Sequence, residues 1–181
     1  MGANIERLKQ SIVDFVRSQE LDYAFPLGGK IPLFSAEERA VCELLRSCEL
    51  DDDAIRVISD DFTRTGCYEM AILGARLMLA AARSKDAAEY KVGLFVFLAA
   101  AATIDWRDIL VALSVVEEFG NFVGVNVKAE AERILGAIPN DDLTHTVMGF
   151  FERPEGHRRP EYMDLERIGE GDTLTFVRKP W

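Results

Sequence analysis

Residues 92–104 read VGLFVFLAAAATI, thirteen positions without a charge, and DWRD (105–108) follows at once. Whether this run crosses a membrane, lines a pocket or fills a core decides the fold. A membrane-spanning helix needs about 20 consecutive apolar residues, and runs of about 10–14 are the usual signature of a buried core helix. Lys91 and Asp105 bracket the run closely, so it reads as core. The preceding stretch, 67–83, contains MAILGARLMLAAA, broken only by Arg76. A helix apolar on every face must be enclosed, and two of them in succession require a shell of one-sided helices around them.

The flanking sequence supplies that shell. Ile5, Leu8, Ile12, Phe15 and Val16 fall at helical spacing and predict an amphipathic helix over 4–17. Ser35 and Glu38 have the spacing of a capping box and open a helix whose expected buried stripe is Val41, Leu44, Leu45 and Cys48. The carboxylates of Asp51, Asp52 and Asp53 suit the N-terminus of the next helix, from which Ala54, Val57, Ile58 and Phe62 are expected to face inward. Asp86 and Glu89 predict a second box-like cap for the helix that carries the opening run. Asp105 is expected to cap a helix with Ile109, Ala112, Leu113, Val116, Phe119 and Val123 inward. Arg107, Ser114, Glu117, Glu118 and Asn121 are placed on its polar side. Two more helices, over 127–138 and 141–152, are split by Pro139 and Asn140.

The fold class is therefore all-α, with about eight helices. Helix starts recur at intervals of about 20 residues from position 51, which fits stacked hairpins of the HEAT or armadillo kind. No residue signature repeats, so a compact bundle is the preferred form. Two segments depart from the helical pattern. In LDYAFPLGGKIPLF (21–34), Pro26, Gly28, Gly29 and Pro32 forbid a helix, yet the segment is too apolar for a solvated linker. It is expected to lie on its own bundle or on a partner. The tail, 153–181, opens with two prolines and a basic knot of Arg153, His157, Arg158 and Arg159, then offers LERI and TLTFVR around GEGD. That pattern predicts a short β-hairpin or an extended tail. Residues 1–152 are assigned to a helical domain and 153–181 to this appendage.

Composition narrows the partners. The 181 residues are 49% hydrophobic and 29% charged, with a net charge of −10. Such a surface repels nucleic acid phosphates and anionic lipid headgroups, so neither is expected as a partner, and it attracts basic protein surfaces. The three cysteines, Cys42, Cys48 and Cys67, lack the paired spacing of a disulfide framework. They point to a reducing compartment, the cytoplasm. The N-terminal MGANIERLKQSIVDFV has no apolar core before a small-residue cleavage site, so no secretory signal is expected.

No motif for metal or phosphate chemistry is complete in the chain. Zinc sites need four ligands in close pairs, but Cys42 and Cys48 point different ways from one helix, and Cys67 and the only histidines, His145 and His157, add no second pair. Asp142-x-x-His145 is half of a di-iron motif, and Asp142 is better explained as a first-turn charge. The stretch from Asp61 has Thr63, Thr65 and Gly66 at calcium-loop positions, but Ile72 stands where the bidentate glutamate belongs. Gly28-Gly29-Lys30 is followed by Ile31 rather than Ser or Thr, and so is no phosphate loop. No catalytic, metal or cofactor residue is assigned, and enzyme activity is not expected.

Within 103–135, the residues Asp105, Trp106, Arg107, Asp108, Leu110, Val111, Ala112 and Leu113 resemble a D-[YW]-R-D-x-L-V-A-L segment of small all-helical bacterial proteins of unassigned activity. The chain departs from that pattern at Ser114, Val115 and Val116, where an aromatic–histidine pair would follow. The resemblance implies a bacterial origin and a helical fold, and it carries no catalytic residue across.

Three functional readings follow. The leading one is a protein-interaction module, an adaptor or immunity-type protein that masks a basic partner. Its acidic segment 35–70 has ten Asp or Glu against four Arg. Asp51, Asp52, Asp53, Asp60 and Asp61 would steer the encounter, Tyr23, Phe25 and Trp106 would anchor it, and Arg158 and Arg159 would grip from the tail. The second is a small-molecule-binding bundle or enzyme with a pocket beside Arg76, whose bland explanation is a snorkelling or ion-paired arginine. The third is a structural subunit that pairs with itself through an apolar helix face.

Overall fold

Residues 92–101 of the charge-free run lie in the central helix of the protein. A computed structural model describes residues 2–18, 35–47, 51–65, 68–101, 106–154, 165–169 and 175–178. Within them the chain forms α1 (Gly2–Ser18), α2 (Ala36–Ser47), α3 (Asp52–Thr65), α4 (Tyr68–Ser84) and α5 (Ala87–Ala101). These are followed by α6 (Trp106–Val123), α7 (Val127–Ala137), α8 (Asp141–Glu152), β1 (Leu165–Ile168) and β2 (Thr175–Arg178). From Gly93 to Ala101 every residue of α5 is buried. An all-round apolar helix needs a neighbour on each side, and α5 has them: it packs on α4 along most of its length and also touches α3, α6 and α7. Outside these, α1 lies against α2, α3 and α4, while α8 lies against α6 and α7. In a solenoid each hairpin meets only its neighbours. The pairing of α3 with α7, and the enclosure of α5, make this a bundle around a central hairpin.

Glycines set how closely that hairpin closes. A Cβ at Gly74 of α4 would stand 2.6 Å from the amide nitrogen of Phe97 and 2.7 Å from the carbonyl oxygen of Gly93. One at Gly93 would stand 2.8 Å from the carbonyl oxygen of Gly74. The two backbones meet where both helices lack a side chain. Gly120 of α6 plays a related part, because a Cβ there would fall 2.6 Å from the Tyr90 phenol oxygen. The space admits the buried phenol, which donates to the carbonyl of Val116 at 2.7 Å.

Local signals account for the helix ends. Ser35 Oγ accepts the Glu38 amide at 3.1 Å and Glu38 Oε1 accepts the Ser35 amide at 3.2 Å, the reciprocal capping box expected from sequence. Asp51 Oδ1 accepts the Ala54 amide at 2.8 Å. Asn126 and Asn140 cap α7 and α8 in the same way, each by a 3.0 Å bond. The expected box at Asp86 forms only by half. Asp86 Oδ1 accepts the Glu89 amide at 3.0 Å, but the Asp86 amide is already given to the Ala81 carbonyl at 2.9 Å. That bond belongs to a Schellman turn that ends α4 through Lys85 at φ 56°. The Glu89 carboxylate, with no amide left to accept, turns instead to Arg46 of α2.

Three inward–outward assignments are corrected. On α3, Ile55 is fully buried and Val57 is exposed, because Ala54, Ile55, Ile58 and Ser59 form the inward face of a helix packed against α1, α5 and α7. On α6, Ser114 is buried at 1% exposure, not polar-facing, and its hydroxyl bonds the Leu110 carbonyl at 3.2 Å. A serine that returns its hydroxyl to its own helix can sit in a core. On α2, Cys42 is buried and Leu44 only half-buried, while Cys48 lies outside the described residues. The hairpin is present as an antiparallel ladder in which Leu165 faces Arg178 and Ile168 faces Thr175. Segment 21–34 lies outside the described residues. Among those described, no helix is long and apolar enough to cross a membrane.

Candidate functional site

Burial on one face of α3 dictates what the other presents. With 54, 55, 58 and 59 inward, residues 53, 57 and 60 share the outer face at i, i+4 and i+7. Asp51, Asp52, Asp53 and Asp60 are all exposed. Between Asp53 and Asp60 stands Val57, the exposed large hydrophobic residue among those described, at 36%. Asp53 is paired with Arg56 at 2.7 Å, an exposed i,i+3 contact worth little in water. On α7, which packs against α3, Arg133 is bonded to Glu130 at 2.8 Å. That bond, with a smaller contribution from Asp52, holds the guanidinium pKa above its ordinary value. The result is an acidic face with an apolar centre, partly neutralised at its α7 edge. Asp61 belongs to α3 and Trp106 opens α6, though the side chains of both lie outside what the structure describes. Tyr23, Phe25, Arg158 and Arg159 lie outside the described residues altogether.

No family model, curated protein or solved structure matches this chain.

Arg76, the candidate pocket residue, is 5% exposed. Its Nη1 lies 2.5 Å from Glu38 Oε2, and the two side chains are 6% and 5% exposed. Glu38 therefore serves twice, capping α2 through Oε1 and holding α4 through Oε2. An anionic ligand at Arg76 would have to compete with that carboxylate. The pairing was missed in sequence because the partners are 38 residues apart, although a signal existed. Glu38 shares a stripe with Val41, Cys42 and Leu45, and a charge on a buried stripe requires an opposite charge to meet it. One turn further on, Cys42 is buried, and beyond it Arg46 grips Glu89 of α5 with both arms of its guanidinium. Polar contacts thus fasten α2 to α4 and to α5, one on either side of a thiol. Among the described residues, no group of three or more His, Cys, Asp or Glu could hold a metal ion.

The surroundings of the Cys42 thiol disfavour its thiolate. Burial, opposed by Arg46 and reinforced by Glu89 and Glu38, pushes the Cys42 pKa from 9.0 to about 11. Thiolate is the reactive form, so at pH 8 the shift alone should slow alkylation about 100-fold relative to the unfolded chain. In a C48S/C67S variant, Cys42 is expected to resist iodoacetamide at pH 8 and to react promptly in 6–8 M urea, a concentration of about that size being enough to unfold most domains. Because the folded pKa lies above the unfolded one, the thiol's share of stability is complete below pH 9.0 and is lost as pH rises towards about 11. Rapid native labelling at pH 8 would show the thiol to be accessible.

Proposed function

We propose that this chain is a non-enzymatic helical interaction module of the bacterial cytoplasm, which masks a basic protein with the outer face of α3. The observation that carries the reading is the placement of Val57 between Asp53 and Asp60, with Asp51 and Asp52 at the helix start. Charge at the rim raises the rate of encounter and selects a cationic partner, while an apolar centre supplies contact area that water gives up. The net charge of −10 acts in the same direction. Cysteine usage supports the compartment, and the 105–113 resemblance supports the bacterial source.

The test keeps α3 intact. Asp51 caps the helix, and reversing it would cost about 1 kcal/mol of helix stability and confuse the result. A D52K/D53K/D60K variant leaves the cap in place. Affinity capture at about 20 mM salt is expected to recover a basic protein with the native chain, to lose most of it at about 300 mM, and to recover none with the variant. Equal recovery by both proteins would refute the reading.

A further inference from the structure

We propose that α1 and α2 form a cover that undocks from the other helices as one unit, with the buried Glu38–Arg76 ion pair as its latch. The acidic face of α3 takes no part in this, because α5 and α7 hold α3 in the bundle as well.

The packing divides between α2 and the rest. α2 lies along α1, and its approach to every other described helix is slight, whereas α4 and α5 meet along most of their length. Side chains bridge the wider spacing. Glu38 reaches Arg76 of α4, and Arg46 reaches Glu89 of α5. Val41, Cys42 and Leu45 are buried on the same stripe as Glu38. On α1, Leu8, Ile12 and Phe15 form one fully buried stripe, and the helix packs chiefly on α2 and less on α3 and α4.

The latch differs in kind from those apolar stripes. An apolar side chain loses free energy when it is returned to water. Two ions regain hydration when they part, which offsets much of the attraction they lose. A buried ion pair therefore adds little to the cost of lifting a cover that is correctly seated. A cover seated wrongly leaves one buried charge alone, which is a costly state. Arg46 is half-exposed, so its pair with Glu89 lies at the rim and holds more weakly.

Glu38 is suited to both states. Its Oε1 accepts the Ser35 amide within α2, a bond that undocking leaves intact, and Oε2 alone is drawn away from Arg76. α2 thus departs as a capped helix. Lifting the cover bares Arg76 and the parts of α3 and α4 that α1 and α2 shield. The bundle can then hide or present an apolar wall without unfolding as a whole.

The test is native-state amide exchange followed by NMR at about 0–2 M urea, below the unfolding transition of most domains. Amides of residues 8–15 and 41–45 are expected to exchange through one shared opening. Its urea dependence should be less than about half that of residues 94–101 of α5, because less surface is exposed. This first measurement needs no variant. Arg76→Met should speed exchange in α1 and α2 about 100-fold or more, since it strands Glu38 in the closed state. E38Q/R76M should return about tenfold of that loss. Gly74→Ala should speed exchange in α5 about 100-fold but in α1 and α2 less than about threefold, because the damaged contact persists while the cover is off. In a C48S/C67S background, alkylation of Cys42 should share the urea dependence of the α2 amides. Equal urea dependence in all three helices, or separate openings for α1 and α2, would overturn the proposal. So would an unchanged α2 rate in Arg76→Met, or Gly74→Ala acting equally on α1, α2 and α5.

Discussion

Gly74→Ala is expected to destabilise the protein by about 3 kcal/mol, at the upper end of what one added methyl does in a packed core. The reason is what the methyl would strike. The atoms at 2.6 and 2.7 Å are the Phe97 amide nitrogen and the Gly93 carbonyl oxygen, both backbone, and neither can rotate away as a side chain would. Relief requires α4 and α5 to move apart along their whole contact, which opens the core around Met78, Leu94 and Phe97. For a chain of this length the loss corresponds to a fall in Tm of roughly 6–12 °C. Gly93→Ala should behave similarly, since it meets Gly74 and Met78 backbone at 2.8 and 3.0 Å. The double variant should cost clearly less than the two single losses combined, because one separation of the helices accommodates both methyls. Urea melts followed by circular dichroism measure all three. A loss below about 1 kcal/mol for Gly74→Ala would mean that the helices do not meet there.

The Glu38–Arg76 pair should produce an effect of similar size by a different route. Arg76→Met keeps the bulk of the side chain but strips Glu38 of its buried guanidinium, and breaking a buried ion pair from one side costs about 3–5 kcal/mol. Glu38→Gln preserves a side chain that can still serve the capping box, yet leaves Arg76 facing a neutral amide at 5% exposure. Removing both charges together should recover part of the loss, because the expensive state is one charge without the other. A coupling of about 1.5 kcal/mol or more is expected from the four urea melts of the cycle. An arginine without a buried partner would give the opposite sign, with Arg76→Met raising stability. Additive losses, or a stabilised Arg76→Met, would refute the ion pair.

Much of the framework could be read along the chain because the physics is local. Ser35 and Glu38 are three residues apart, and their reciprocal bonds need nothing beyond the first turn of α2. The charge-free run had to be enclosed whatever surrounded it, and α5 is. Errors arose where a neighbour decided. Val57 and Ile55 are both apolar, and which turned inward depended on where α1, α5 and α7 lay. The Glu89 carboxylate left its expected cap because a Schellman turn from α4 had taken the amide it would have accepted.

The candidate surfaces divide in the same way. The Asp51–Asp53 cluster was evident from composition, but its arrangement around Val57 required knowing the buried face of α3.

By itself, then, the order of residues determined an all-helical bundle with two enclosed helices, their start points and an anionic surface. These follow from periodicity, capping and net charge, which act over a few residues or over the whole chain. Only the tertiary structure decided that Glu38 meets Arg76 and that α4 and α5 touch at Gly74 and Gly93. Those depend on which distant segments arrive at the same place, and at that range single contacts decide between arrangements that local preference leaves equal.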